Sequence, residues 1–585
     1  MKQFHLLPPA EKIRAALTQS RPWFIACAVF IGIFRLLPAL RHDLYNMDEG
    51  ITLSVGYAVA HGGLPYVDSV CQRGPMLHST AAAVFKLFGD WNVVAWNLTG
   101  LAFFSVTALL VWLIAKELFG KQAANLAMTL FVVFSSVGLI LPDAIGINAE
   151  QLANVPACAA LYLLVRFGRN HLWSWFASGF LAMIAGLYKQ VMMVLAFLIA
   201  LWGVLWLIDE WKKNKHPLAL FFLRGGLAFI GFALPFLVTV AIFARAKHLQ
   251  DFWYWFYQYN ISYRLAGIEL ISFSAMAAWF FNILLVKLFP LTLGCLVGLY
   301  LAFRHIQTGA YESGHRRISV IFAAVWAIAS VYTATMAYRP FGYYFVQATP
   351  PMSVLAAAGF LYLIGRERKL SVARSAGRVV VALLVVFSLI NALFNAYIMM
   401  VQVFHDFVPS LDEDWATDRT YYDVALRVQE ASSKNDSVFV WGFLPRVYPL
   451  SARKPATKFS SGFYLAGQYG GLVMDPNMYD LTPHIVPGAW KQTIRAFNIN
   501  KPQVIVDAST IPATVFTMLR PVLYPLLDET LAKNYRKYAK VGYCTIYVRT
   551  DKKWQRIFYD PKKEYAVQFT LPGQKGIDVQ KMMGK

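Results

Sequence analysis

The 585-residue chain is 58% hydrophobic and 16% aromatic yet only 15% charged, a balance that excludes a soluble globular protein and fits a polytopic membrane protein. Its net charge of +22 comes without a nucleic-acid-recognition motif, and much of the Lys and Arg lies in short loops between apolar runs, so the charge sets topology and nucleic acid is not an expected partner. Five cysteines, Cys27, Cys71, Cys158, Cys295 and Cys544, lie far apart with no C-x-x-C or metal-ligand spacing, which implies neither a disulfide framework nor a zinc site.

Lys2, Lys12, Arg14 and Arg21 precede the apolar run 22–40, which has no small-x-small cleavage site at its end. It reads as a signal anchor retained as the first helix, with Arg35 near its outer end snorkelling to the interface. Hydropathy predicts about eleven spanning helices, each near the ~20 residues a bilayer core requires. They lie near 22–40, 92–115, 123–141, 150–166, 173–187, 191–208, 219–243, 277–303, 318–336, 345–364 and 378–401. Loops on the N-terminal side carry more than twice the Lys and Arg of those on the other side, which makes the N-terminus cytoplasmic. The external segments are then 41–91, 142–149, 188–190, 244–276, 337–344 and the tail after about Val403. Lys212-Lys213-Asn214-Lys215 and Arg366-Glu367-Arg368-Lys369 are cytoplasmic topology determinants.

Within the first external loop, 51–61 reads as a short amphipathic helix ended by Gly62-Gly63, and 76–88 as another ended by Gly89. Both are expected to lie along the membrane surface. Between them run an extended turn, Leu64-Pro65-Tyr66-Val67-Asp68, and Gln72-Arg73-Gly74-Pro75. The aromatic run Phe252-Trp253-Tyr254-Trp255-Phe256-Tyr257 suits an interfacial belt, with a lipid-chain or sugar-stacking surface as the sharper alternative. After Asp406 the composition becomes that of a soluble domain. Strands are predicted at 437–441 and 503–507, a helix at 489–497, and a hairpin of 537–541 and 544–549 around Gly542. No G-x-G-x-x-G follows a strand, so nucleotide binding by that device is not supported. The expected architecture is a polytopic α-helical membrane module at 1–403 and an extracytoplasmic α/β domain at 404–585, in the plasma (inner) membrane.

Topology gathers scattered polar residues at the external face. Asp48 and Glu49 follow the first span, Asp143 and Glu150 flank a short turn, Lys189-Gln190 fills another, and Arg339 precedes Tyr343-Tyr344. Each has a plain alternative when taken alone. Lys189 and Arg339 can be interface anchors, Glu150 can complement a helix dipole, and the tyrosines can belong to a belt. Together they suit transfer chemistry on a lipid phosphate. A carboxylate near a low-dielectric boundary accepts the proton of an acceptor hydroxyl, while Lys and Arg pair with the phosphate that gains charge as it leaves.

Met47-Asp48-Glu49-Gly50, His61-Gly62-Gly63-Leu64-Pro65-Tyr66-Val67-Asp68 and Arg73-Gly74-Pro75-Met76-Leu77 form a series. Lys116-Glu117-Leu118-Phe119-Gly120, Ala185-Gly186-Leu187-Tyr188-Lys189-Gln190 and the segment from Tyr343-Tyr344 to Pro350-Pro351 continue it. In order and spacing this series resembles the membrane-embedded C-type glycosyltransferases that use polyprenyl-phosphate-linked sugars. The resemblance is strongest to the group of protein O-mannosyltransferases and the lipid A aminoarabinose transferase. It implies Asp48 as catalytic base with Glu49 beside it in the catalytic turn, and Arg73, Lys189 and Arg339 on the donor phosphate. Glu150 sits where such proteins place a second external acid, which positions the acceptor or a cation; Asp143 is the other candidate acid, and Tyr66, Asp68, Gln190, Tyr343 and Tyr344 are candidate substrate-binding residues. Where such proteins carry a basic residue before Pro-Pro-Leu, this chain has Arg73 before Gly-Pro-Met; their Thr-Lys-Gln turn is here Tyr-Lys-Gln. No metal or other cofactor is expected, although metal use differs among such enzymes and a divalent ion stays open.

The implied activity is inverting transfer of a hexosyl or pentosyl group from a polyprenyl-phosphate sugar to a lipid, glycan or protein acceptor. A transporter or lipid-linked-sugar flippase is the rival, predicting ionisable residues at mid-membrane and broken helices in both halves. A receptor or scaffold is the third possibility. Charges gathered at one face, without an inverted repeat, favour transfer.

Overall fold

The computed structural model describes residues 18–211, 217–308, 314–364, 375–404, 420–470, 472, 474, 480–509 and 519–564. The basic stretches at 212–215 and 366–369 lie outside the described residues. The chain divides into two compact units. One comprises Met1–Arg41, Leu98–Lys247 and Phe273–Leu411; the other comprises His42–Asn97, His248–Ser272 and Asp412–Lys585.

The first unit is helical. Among the described residues, Ser20–Ala39, Val93–Phe119, Gln190–Glu210, Pro217–Arg245 and Ile318–Thr335 are long and apolar enough to cross a bilayer. Trp173–Tyr188, Phe289–Arg304, Thr349–Leu363 and Val385–Val401 are apolar and shorter. The eleven expected spans thus become a set of full-length and shorter helices, and the span expected at 277–303 is interrupted. Phe273–Asn282 and its π-helical continuation Ile283–Lys287 end at Leu288, where Phe289–Thr308 begins. Helices approach closely through small residues. A Cβ on Gly179 would strike the Ala228 carbonyl, and one on Gly231 the Phe176 carbonyl, which brings Trp173–Tyr188 against Pro217–Arg245. Asn391 and Asn395 donate to the carbonyls of Gly138 and Val137 at 3.1 and 3.0 Å, satisfying the end of the Lys121–Val137 helix.

Arg35 does not snorkel. It is 4% exposed, its Nε donates to Ser136 Oγ at 3.1 Å, its Nη2 donates to the Ser135 carbonyl, and it sits 3.9 Å from the Phe104 ring centroid. A guanidinium that finds donor-matched oxygens and an aromatic face inside the protein has no need of the interface.

In the second unit, five strands form one sheet in the order β2-β1-β3-β5-β4: β1 Ser437–Trp441, β2 Lys454–Pro455, β3 Val504–Asp507, β4 Tyr535–Val541 and β5 Cys544–Arg549. β1 pairs with β2 and β3 in parallel, while β5 runs antiparallel to both β3 and β4. β1 and β3 are buried throughout, as continuous apolar runs at a sheet centre require. β4 exposes Arg536, Lys537 and Lys540 on the edge, which opposes edge-to-edge pairing. The Ala489–Asn500 helix covers the sheet, and its Phe497 ring lies 4.9 Å from Phe439. The expected strands, helix and hairpin are all present; the two-residue β2 had no sequence signal.

The first helix of the 41–91 segment differs from expectation. It runs Met47–Ala60 rather than 51–61, because Asn46 and Glu49 form a capping box that starts it earlier. It is also enclosed rather than laid on a surface, with Glu49 through Gly56 all buried. Pro75–Phe88 crosses it closely, since a Cβ on Gly56 would meet that of Ala81. A Cβ on Gly50 would strike the backbone of Pro445 and Arg446. That backbone has no flexible end to move aside, so Gly50→Ala is expected to destabilise this unit by about 1–3 kcal/mol, read as a lower thermal midpoint in detergent. An unchanged midpoint would show that the contact is not close-packed.

Candidate active site

The cap that starts the Met47–Ala60 helix also assigns its two acids. Glu49 is fully buried. Its Oε2 accepts from the Asn46 and Tyr45 amides at 2.7 and 2.9 Å, and its Oε1 accepts from the Trp96 indole at 3.1 Å. Asn46 Oδ1 in turn accepts from the Asp48 amide at 2.9 Å. Glu49 is therefore a helix anchor, engaged on both oxygens.

Asp48, next in line, keeps 19% of its side chain exposed and forms an ion pair, Oδ2 to Nη2, with Arg73, whose side chain is 10% exposed. Base and cation expected from sequence thus share one contact. Arg73 Nη1 also lies 3.9 Å from Cys71 Sγ; burial pushes that thiol's pKa up and keeps it neutral.

Tyr66 and Asp68 shape the loop. Tyr66 is fully buried with φ at 73°, and its hydroxyl donates to the Arg73 carbonyl at 2.6 Å. Asp68 is exposed and accepts from the Leu64 amide at 2.8 Å, closing the loop between them. Sequence reasoning missed His78, which is buried edge-on to Tyr66 with ring centroids 6.3 Å apart. Burial first, then the Arg73 charge, pushes its pKa down to about 3, so it is a neutral imidazole beside the pair.

A second polar cluster lies in the helical unit. Glu150 is 1% exposed in the first turn of Ala149–Phe167, where the helix N-terminus favours its charge. Lys189 Nζ stands 2.8 Å from Glu150 Oε1 and 4.5 Å from the Tyr344 ring centroid. Lys189 reaches them because its extended backbone separates Trp173–Tyr188 from the 3-10 turn Gln190–Val194. Gln190, next to it, is half-buried. Glu150 Oε2 and Asn148 Oδ1 are buried acceptors with no hydrogen-bond donor among the described residues.

Asp143, 8% exposed, sits so close to Gly342 that a Cβ there would strike its carboxylate. Burial pushes its pKa up to about 6, opposed by Lys287 and the Tyr343 backbone amide and aided by Glu150. Tyr343 and Tyr344 are buried in the turn Gly342–Gln347, and Arg339 is fully buried, with Nη1 donating to the Tyr338 carbonyl at 3.1 Å. Among the described residues no group of three or more His, Cys, Asp or Glu is placed to hold a metal ion.

Residues 72–239 match the family model described as dolichyl-phosphate-mannose-protein mannosyltransferase. No curated protein matches the chain by sequence. Among solved structures, the chain is similar to crystal structures of ArnT from Cupriavidus metallidurans. The structure bound to undecaprenyl phosphate aligns at 15% identity over 91% of this chain and 99% of that one, with a TM-score of 0.57. The apo structure aligns at 14% identity over 90% and 98%, with a TM-score of 0.55. A looser likeness, at 13% identity, 92% and 74% coverage and a TM-score of 0.46, is to AglB, the archaeal oligosaccharyltransferase from Archaeoglobus fulgidus, in complex with an inhibitory peptide and a dolichol-phosphate. The chain shares its fold with these ArnT structures.

Two substitutions probe these assignments. Glu49→Gln sets an amide N–H against N–H donors and is expected to cost about 1–3 kcal/mol of stability, seen as a lower unfolding midpoint; an unshifted midpoint would remove the anchor role. For Asp143, a folded pKa of about 6 against an ordinary 3.8 means that the native state binds its proton more tightly across that window. Stability therefore falls as pH rises from about 4 to about 6, by on the order of 2 kcal/mol. Midpoints measured against pH should show that fall in the native protein and its absence in Asp143→Asn.

Proposed function

We propose that this protein is an integral-membrane glycosyltransferase that moves a sugar from a polyprenyl-phosphate-linked donor to a lipid, glycan or protein acceptor. The observation that carries the reading is the Asp48–Arg73 ion pair on a capped, enclosed helix start. A carrier of this class is supported by the family match, whose description names a dolichyl-phosphate sugar, and by the shared fold with an ArnT that binds undecaprenyl phosphate.

The chemistry follows from the pair. At rest the two charges compensate each other, so neither is an isolated buried ion. A donor phosphate is a bidentate partner for the Arg73 guanidinium and competes with Asp48 for it. That competition frees Oδ2 to accept the proton of an acceptor hydroxyl. The hydroxyl oxygen then attacks the anomeric carbon as the bond from that carbon to the phosphate oxygen breaks. Polyprenyl phosphate leaves with its charge held by Arg73, and the anomeric configuration inverts. Lys189 and Arg339 are proposed as further phosphate cations, Glu150 and Asp143 as acceptor-side acids, and Gln190, Tyr343 and Tyr344 as substrate contacts. The excess of Lys and Arg in the loops on the N-terminal side supports a cytoplasmic N-terminus. Residues 404–585 and the reacting face are then extracytoplasmic.

The test is release of free polyprenyl phosphate by purified protein in lipid, given a panel of polyprenyl-phosphate sugars and membrane extract. Asp48→Asn should lower turnover by about 10²–10⁴-fold while donor affinity is kept or rises, because Arg73 loses its resting competitor. Turnover that survives Asp48→Asn would remove Asp48 as the base. No release from folded protein with any donor would sink the transferase reading.

A further inference from the structure

Both peptide planes that flank the Arg73 Cα are held from outside the loop's own backbone. On the C-terminal side, the Arg73 carbonyl accepts from the Tyr66 hydroxyl at 2.6 Å. On the N-terminal side, the Gln72 carbonyl accepts from Asn260 Nδ2 at 2.9 Å, and the Gln72 side-chain Oε1 accepts from the Tyr464 hydroxyl at 3.0 Å. A peptide plane has no internal freedom, so fixing the two on either side of one Cα fixes the direction in which its side chain leaves. Asn260 is 188 residues from Gln72, and Tyr464 is 392.

Asn260 is itself placed by an irregularity. The helix that begins at Leu249–Trp253 passes through a π-helical turn, Tyr254–Gln258, before continuing as Tyr259–Leu270. Such turns are rare and recur where a helix must aim a functional side chain. Here Asn260 Nδ2 also lies 3.1 and 3.2 Å from the Trp255 and Phe256 carbonyls, at the end of the π turn. Tyr464, 3% exposed, packs edge-on against Trp255 and Tyr259, with ring centroids 5.1 and 5.7 Å away. The aromatic run that suited an interfacial belt therefore builds the mount for Asn260.

We infer that Asn260, backed by Tyr464, is a positioning residue for Arg73: the π turn and the C-terminal region hold the peptide at Gln72 so that the guanidinium meets the donor phosphate. This rests on the phosphate-binding role proposed for Arg73. Neither residue touches the donor; each acts through Gln72.

The experiment is a double-mutant cycle on the full-length protein in lipid nanodiscs, with undecaprenyl phosphate as the probe and its dissociation constant as the readout. Asn260→Leu removes the N–H donors at similar volume, Tyr464→Phe removes one hydroxyl, and Gln72→Met removes the acceptor of that hydroxyl from the other side. Each is expected to weaken binding roughly 3- to 10-fold, with donor KM rising and acceptor KM unchanged. In the Arg73→Gln background the same changes should cost nothing further, because the group they position is gone. Tyr263→Phe removes a hydroxyl from the same aromatic cluster, one that donates to the Gly470 carbonyl at 2.9 Å, and should leave affinity unchanged.

Equal losses with and without Arg73, or a matching loss in Tyr263→Phe, would show a general structural role and overturn the inference alone. Should Asn260→Leu fail to fold, Tyr464→Phe and Gln72→Met carry the same expectation. If Arg73→Gln itself leaves affinity unchanged, the phosphate-binding role falls, and the inference with it.

Discussion

The buried Glu49 carboxylate is the constraint from which the turn that carries Asp48 follows. An ionised carboxyl removed from water must collect donors, and Glu49 collects three, from Tyr45, Asn46 and Trp96. That fixes where the Met47–Ala60 helix starts and which face of its first turn points inward. Successive side chains on a helix diverge by about 100°, so turning Glu49 inward leaves Asp48 on the open side, where Arg73 meets it. Two neighbouring acids with the same chemistry thus take different work from geometry alone. The helix N-terminus favours both negative charges, so the second acid does not expel the first.

Charge pairing runs through both units. Lys189 meets Glu150, Arg224 meets Glu210 at 2.9 Å, and Arg73 meets Asp48. Burial makes an unpaired charge costly and a paired one tolerable, so a resting protein can store charged groups in weakly solvated places. The same physics makes such pairs responsive, since an anion of higher charge offers the cation a better partner. Among the described residues, Glu150 keeps one oxygen without a donor. The lysine thus compensates its charge without exhausting its capacity to accept.

Local sequence made much of this legible. Long apolar runs marked the helices, the stretches 437–441 and 544–549 read as strands, and Gly62 and Gly89, with φ of 89° and 92°, ended the two loop helices where left-handed backbone favours glycine. Two misses also had local signals. Asn46 and Glu49 form an N-x-x-E capping pattern, enough to start the helix before Asp48 rather than after it. Pro290, two residues beyond Leu288, belongs in the first turn of a helix rather than in the middle of one, and it marks the interruption of 277–303. Other features were invisible because their causes are distant. Arg35 finds its acceptor in Ser136, 101 residues away, and Asn260 meets Gln72 across 188 residues, beyond a π turn. The Asp68 contact is local by comparison: its carboxylate accepts from the Leu64 amide four residues back.

The departure at Arg73-Gly74-Pro75-Met76 shows how a motif survives a changed residue. The resembling proteins carry proline where this chain has Gly74. Gly74 caps the Pro75–Phe88 helix at φ −65° and ψ 150°, which is the backbone conformation proline itself takes. The geometry that presents the preceding basic residue is therefore kept. Pro75 still occupies the first turn, where its missing N–H leaves no donor unsatisfied. What glycine does not supply is restraint, because the unfolded and misdirected conformations it allows are more numerous. In this chain that restraint comes from hydrogen bonds at the flanking peptides, through the Tyr66 hydroxyl on one side and the Asn260 amide on the other. A stiffness written locally as proline elsewhere is thus distributed here over a loop tyrosine and a distant helix. The position of Arg73 accordingly depends more on tertiary contacts than the motif alone conveys.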